Sequence, residues 1–145
     1  MSRRKFAPFE RTFIQERAYH HCEYCKFPNA FSHDPFHIEH IVPIRLGGDS
    51  EMGNLAWACD GCNTNKWGYA EWLDDKTNTK APLFNPRQDI WQAHFKWSSD
   101  FTMIVGLTPI GRVTIALLKM NRLGLVNIRK ALLAYGVLPM HVQAK

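Results

Sequence analysis

Four cysteines stand in two pairs, CEYC at 22–25 and CDGC at 59–62, with a set of polar residues between and just after them. Two thiols separated by two residues face one side of a tight turn, so two such pairs can share one tetrahedral zinc ion. A redox pair or plain buried thiols are the other readings of Cys22, Cys25, Cys59 and Cys62. Four thiolates close the zinc shell and leave no position for water, which makes such an ion structural. Between the pairs stand His37, Glu39, His40 and Asn54, and directly after the last cysteine comes Asn63, with Lys66 three residues on. Hydrolysis of a phosphodiester needs a base to activate water and a cation to neutralise charge on the reacting phosphate. An imidazole titrates near neutral pH, so His40 is the expected base. A carboxylate and an amide oxygen are hard ligands suited to Mg²⁺ or Mn²⁺, and Glu39 and Asn63 are expected to supply them.

The ordered series CEYC at 22–25, IEHIVPIRLGG at 38–48, Asn54-Leu55 and CDGCNTNK at 59–66 resembles the HNH endonucleases of the ββα-metal class over residues 10–73. The segments LFNPR at 83–87 and GLTPIGR at 106–112 resemble the tail of small stand-alone bacterial members. The resemblance implies an α+β fold: a ββα-metal core with a four-cysteine zinc site, an N-terminal helix, and a C-terminal hairpin plus helical extension. It implies that His40 is the general base, Glu39 a metal ligand, Asn54 the residue that fixes the loop between the strands, and Asn63 the second metal ligand. The acid is Glu where Asp is commoner, and the last position is Asn where His is frequent, which bears on metal preference more than on activity. The implied activity is hydrolytic nicking or cleavage of DNA, double-stranded in the first instance, leaving 5′-phosphate and 3′-hydroxyl ends. The implied cofactors are a structural Zn²⁺ and a catalytic Mg²⁺ or Mn²⁺.

The neighbouring residues have competing readings. His37 is a further metal or phosphate contact, or a half-exposed strand histidine. Lys66 is expected to contact phosphate from the helix that begins at Asn63, while Arg45 is either a phosphate contact or a solvated surface residue. His20, His21, His33, His94 and His141 have no partner pattern, and Trp57, Trp67, Trp72, Trp91 and Trp97 are expected in the core. A zinc-stabilised nucleic-acid binding module without catalysis is the main rival reading. A zinc peptidase is a weaker one, because HxEH has neither of the helical spacings used by zinc proteases.

The 145 residues carry 18 Lys and Arg against 13 Asp and Glu, a net charge of +5, with 46% hydrophobic residues. That is too apolar for a disordered chain and favours a polyanionic partner. No apolar run reaches the length of a membrane span, and with no leader-like N-terminus the expected location is the cytoplasm. Residues 2–5 read as a basic arm. A helix over 9–20, with Phe9, Phe13, Ile14 and Ala18 on one face, leads into the first cysteine pair. Residues 26–34 read as loop, 35–42 and 55–58 as strands, and 63–72 as a helix. Glu39 and His40 point to opposite faces of a regular strand, so the site as read expects a bend or bulge near His40. The division falls at 1–80 for the nuclease core and 81–145 for the extension. Within the extension a short helix over 89–96 precedes a hairpin of 95–97 with 101–105. Thr108 and Pro109 start a helix as N-cap and first residue. A last helix carries Leu125, Ile128, Leu132 and Tyr135, ending before Gly136. Arg112, Lys119, Arg122, Arg129 and Lys130 are expected to form a solvated basic face, with direct DNA contact as the alternative.

Overall fold

The computed structural model describes residues 4–137; His141 and the first two residues of the basic arm lie outside them. Helix α1, Pro8–Arg17, begins with proline at the first turn, where its missing N–H costs nothing. The Glu10 carboxylate accepts the Ala7 N–H at 2.9 Å to close that turn. Only Ile14 and Ala18 of the expected apolar face are buried. Phe9 is 76% exposed, and Phe13 carries the Arg17 guanidinium over its ring. The arm is docked as well: Arg4 pairs with Glu10 and donates to the Ser50 carbonyl.

Strands β1, His37–His40, and β2, Leu55–Ala58, pair antiparallel from His37↔Ala58 to His40↔Leu55. Every residue of β2 is buried, as expected of a continuous LAWA run covered on both faces. Arg17 donates to the carbonyls of Met52 and Leu55 at its start. Helix α2, Asp60–Lys66, follows at once, with Cys59 as its N-cap. This strand–loop–strand–helix unit is the α+β core anticipated above.

The chain departs from expectation after Lys66. Helix α2 ends there instead of running to residue 72, because Trp67 adopts φ 50°, which no helix continues. A hairpin of β3, Glu71–Asp74, and β4, Thr79–Pro82, occupies the next stretch. The boundary drawn at residue 80 thus falls inside β4. Beyond it come the short α3, Trp91–His94, and a hairpin of β5, Phe95–Trp97, with β6, Ile104–Gly106. Helices α4, Pro109–Leu118, and α5, Leu123–Ala134, complete the described chain.

Thr108 caps α4 as expected, its hydroxyl accepting the Gly111 N–H at 3.1 Å. Val113, Thr114, Leu117 and Leu118 are buried, and α4 packs on α2, β3, β4 and β6. One core therefore runs from the cysteine pairs through β2 to α4. In α5 the buried residues are Leu125, Val126 and Arg129, while Tyr135 is 88% exposed, so the apolar face is rotated from the expected one.

Candidate functional site

The two cysteine pairs make matching turns. Cys25 donates its N–H to the Cys22 sulfur, and Cys62 donates its own to Cys59, each at 3.4 Å. Lys26, at φ 65°, returns the first turn toward Cys22. All four cysteines are buried, and their sulfurs lie within 4.8 Å of one another. Cys25 and Cys59 stand 3.7 Å apart, against an S–S edge of about 3.8 Å for a tetrahedron with Zn–S bonds of about 2.3 Å. The donor set fits zinc. Arg122, expected on a solvated face, instead lays a guanidinium nitrogen 3.7 Å from the Cys59 sulfur. Gly61 makes room for it, since a Cβ there would meet Arg122 at 2.2 Å. A cation beside thiolates offsets the negative charge that a four-thiolate zinc site carries.

Alternation along β1 turns His37 and Glu39 toward α2. His37 Nε2 is hydrogen-bonded to Asp60 Oδ1 at 2.8 Å, both side chains being part exposed. Glu39 is buried: Oε1 accepts the Tyr24 hydroxyl at 2.6 Å, and Oε2 lies 2.6 Å from Lys66 Nζ. Burial raises the Glu39 carboxyl above its ordinary pKa, and the charge of Lys66 opposes that rise. Lys66 also donates to the carbonyls of His40 and Ile41 at 3.1 and 2.9 Å, and is 1% exposed. The expected phosphate contact by Lys66 is thus corrected. Its stem runs inward from the last turn of α2, and the ammonium is held by three protein acceptors. Asp60, Asn63 and Lys66 recur every three residues on α2, a spacing that keeps them near one face. Asn63, half-buried, therefore sits between the partners of His37 and Glu39. Nothing in the sequence singles out Tyr24, which there is only the aromatic residue inside the first cysteine pair.

His40 lies on the other side of β1. Its Nε2 is 2.9 Å from the Ser50 hydroxyl, in the connection between the two strands. Asn54 ties that connection down. Its amide oxygen accepts the Val42 N–H at 2.9 Å, and its nitrogen donates to the carbonyls of Val42 and Asp49 at 3.0 and 2.8 Å. Gly48 lets these strands of backbone approach, because a Cβ there would fall 1.8 Å from the Val42 carbonyl oxygen. Of the bend or bulge expected near His40, the chain makes the bend, directly after that residue, and no bulge. Pairing stays regular through His40↔Leu55 and the chain bends only at Ile41 and Val42. Glu39 therefore meets Lys66 of α2 on one side of β1, whereas the His40 ring belongs with Ser50 on the other.

Basic residues of the extension are mostly committed to the fold rather than to solvent. Arg112 makes a two-pronged pair with the buried Asp74, both bonds 2.9 Å. Arg129 is buried and donates to the carbonyls of Thr102 and Met120. Lys119 and Lys130 alone of the five expected residues are exposed. Arg45 rests over the rings of Trp67 and Tyr69, 5.6 and 5.8 Å from their centroids.

Compared with known families, residues 22–67 match the family model described as HNH endonuclease. No curated protein and no solved structure matches the chain. The matched stretch starts at the first cysteine and ends one residue past Lys66, so it contains both cysteine pairs, the β1–α2 face and the loop that carries Ser50 and Asn54. Among the described residues, no helix is long and apolar enough to cross a membrane.

Proposed function

We propose that this chain, with an HNH domain over residues 22–67, is a metal-dependent endonuclease that nicks or cleaves DNA, with His40 as the general base. The supporting observation is the pinned loop: Asn54 makes three hydrogen bonds that fix the connection holding Ser50, and Ser50 orients the His40 ring. An imidazole held in this way can take the proton of an attacking water without a reorganisation cost at the moment of reaction. Glu39 and Asn63 are the residues that would hold a divalent cation, and they would act with His40 on one phosphate at the end of β1, where the chain bends at Ile41 and Val42. Each Glu39 oxygen has one protein partner and keeps a further lone pair. When bound, that cation would supply positive charge for the scissile phosphate and the leaving oxygen. His37 and Asp60, half-exposed beside them, border the β1–α2 face, with His37 a candidate second-rank contact to metal or phosphate. The four thiolates are proposed to hold zinc in a separate, structural site.

The close pairing of Glu39 with Lys66 and Tyr24 favours one other reading, a zinc-stabilised module that binds nucleic acid without cutting it. Nicking of supercoiled plasmid with added Mg²⁺ or Mn²⁺ separates the two. Cleavage by the wild type and a loss of roughly 10²- to 10⁴-fold in His40→Ala, with circular dichroism and zinc content unchanged, is the expected result. Equal nicking by that variant removes His40 from the mechanism. Plasmid binding without nicking under any divalent metal supports the binding module.

A further inference from the structure

We propose that Trp67, Tyr69 and Trp72, with Arg45, form a stacking platform for an unpaired nucleobase beside the nuclease site. The sequence places Trp67 in the core, yet it is 72% exposed, and Trp72 is 37% exposed. The three rings form a chain, Trp67 to Tyr69 at 5.8 Å and Tyr69 to Trp72 at 5.1 Å, tilted or edge-on and not stacked on one another. Arg45 lies across the first two rings and against Gly68, where a Cβ would meet its Nε at 2.4 Å. A bare glycine thus leaves room for the arginine side chain over the rings.

Burial does not explain this arrangement. Trp67 takes φ 50° and ψ −121°, a backbone state that costs a non-glycine residue on the order of 1–3 kcal/mol. Tryptophan usually recovers such costs by burying its large ring, and here the ring is held outward. The occupant is indicated by chemistry and by place. A planar cation beside exposed aromatic rings suits a ligand that is itself flat and anionic, which a nucleotide is. The platform also joins the site at both ends: Trp67 follows Lys66, which holds the His40 and Ile41 carbonyls, and Arg45 stands in the loop after β1. Paired bases in a blunt duplex hide their faces, so the platform would take a flipped, frayed or single-stranded base. The identity of the polymer rests on the nuclease reading; the stacking itself does not require cleavage.

Fluorescence anisotropy without added divalent metal tests this, using labelled oligo(dT) and a blunt duplex of equal length. Trp67→Ala is expected to weaken oligo(dT) binding by roughly ten- to hundredfold, Trp67→Phe to retain most of the affinity, and blunt-duplex binding to change little. No binding of oligo(dT) by the wild type, no loss in Trp67→Ala, or equal losses on both probes would overturn the platform. A dimer dispersed by Trp67→Ala with unchanged oligo(dT) affinity would assign the face to self-association instead. A parallel plasmid assay keeps the two readings apart: stacking without cleavage defeats the nuclease alone, and cleavage with Trp67-indifferent binding defeats the platform alone.

Discussion

The four-thiol cluster and the β1–α2 face lie within the same stretch from Cys22 to Trp67, yet they are built on opposite terms. In the cluster four identical ligands are enclosed, each turn is closed by its own N–H to sulfur bond, and Arg122 beside Cys59 brings compensating charge. On the β1–α2 face unlike groups meet across a graded exposure, from the buried Glu39–Lys66 pair to the half-exposed His37–Asp60 pair. A closed set of equal donors stabilises a fold. A graded set, part satisfied and part open, leaves capacity for a ligand. Tyr24 links the two, since it stands between Cys22 and Cys25 and donates to Glu39.

The largest effect should come from opening the closed cluster. Cys59→Ala is expected to unfold the domain, because structural zinc in small fingers contributes about 10–16 kcal/mol of apparent binding free energy, as much as a whole domain's stability. Loss of stoichiometric zinc together with loss of the thermal transition is the readout, and a folded, zinc-free variant would show that the cluster is not what sustains the core.

Removing one half of the buried pair should have the next largest effect. Lys66→Met leaves a buried carboxylate without its cation and is expected to cost about 3–5 kcal/mol in urea unfolding. The double variant Lys66→Met/Glu39→Gln should recover much of that. Because burial already raises the Glu39 carboxyl and Lys66 opposes the rise, loss of the lysine raises it further. The folded variant then retains a proton that the unfolded chain has released, so its stability falls as pH rises above about 4. The cost should be greater at neutral pH than near pH 4; a pH-independent cost would point to lost packing instead.

The smallest effect belongs to the bridge between the β3–β4 hairpin and α4. Arg112 holds the Asp74 carboxyl well below the usual carboxylate range. Stability from this pair is present above the unfolded carboxylate's pKa, about 3.9, and is lost as pH falls through the depressed folded value. Asp74→Asn should therefore lower the melting temperature modestly at pH 7, with the difference from wild type shrinking below about pH 4. A difference that persists in acid would assign Asp74 a role other than its charge.

Much of this is legible from local signals. The cysteine pairs, β2 over Leu55–Ala58 and the Thr108-Pro109 start of α4 each rest on neighbours in the chain, where spacing and residue type suffice. The end of α2 is not legible in that way: the apolar Trp67 and Trp72 suggest continuation, whereas the backbone at Trp67 turns out of the helix and releases a hairpin. The basic face of the extension misleads for a related reason. Charge at helical spacing looks solvated in a sequence, but Arg112, Arg122 and Arg129 each find an acceptor distant in the chain.

What the order of residues determined alone is the donor inventory: two pairs of thiols, and a carboxylate, an imidazole and two amides within the stretch that the HNH endonuclease family model matches. Tertiary structure decided how those donors are spent. The regular pairing of β1 with β2 sends Glu39 and His40 to opposite faces, and the docking of α2 turns Lys66 inward onto Glu39 while leaving Trp67 outside. A side chain's partner depends on which elements pack together, and residues 24, 39 and 66 become neighbours only once the knuckle, the strand and the helix share one core.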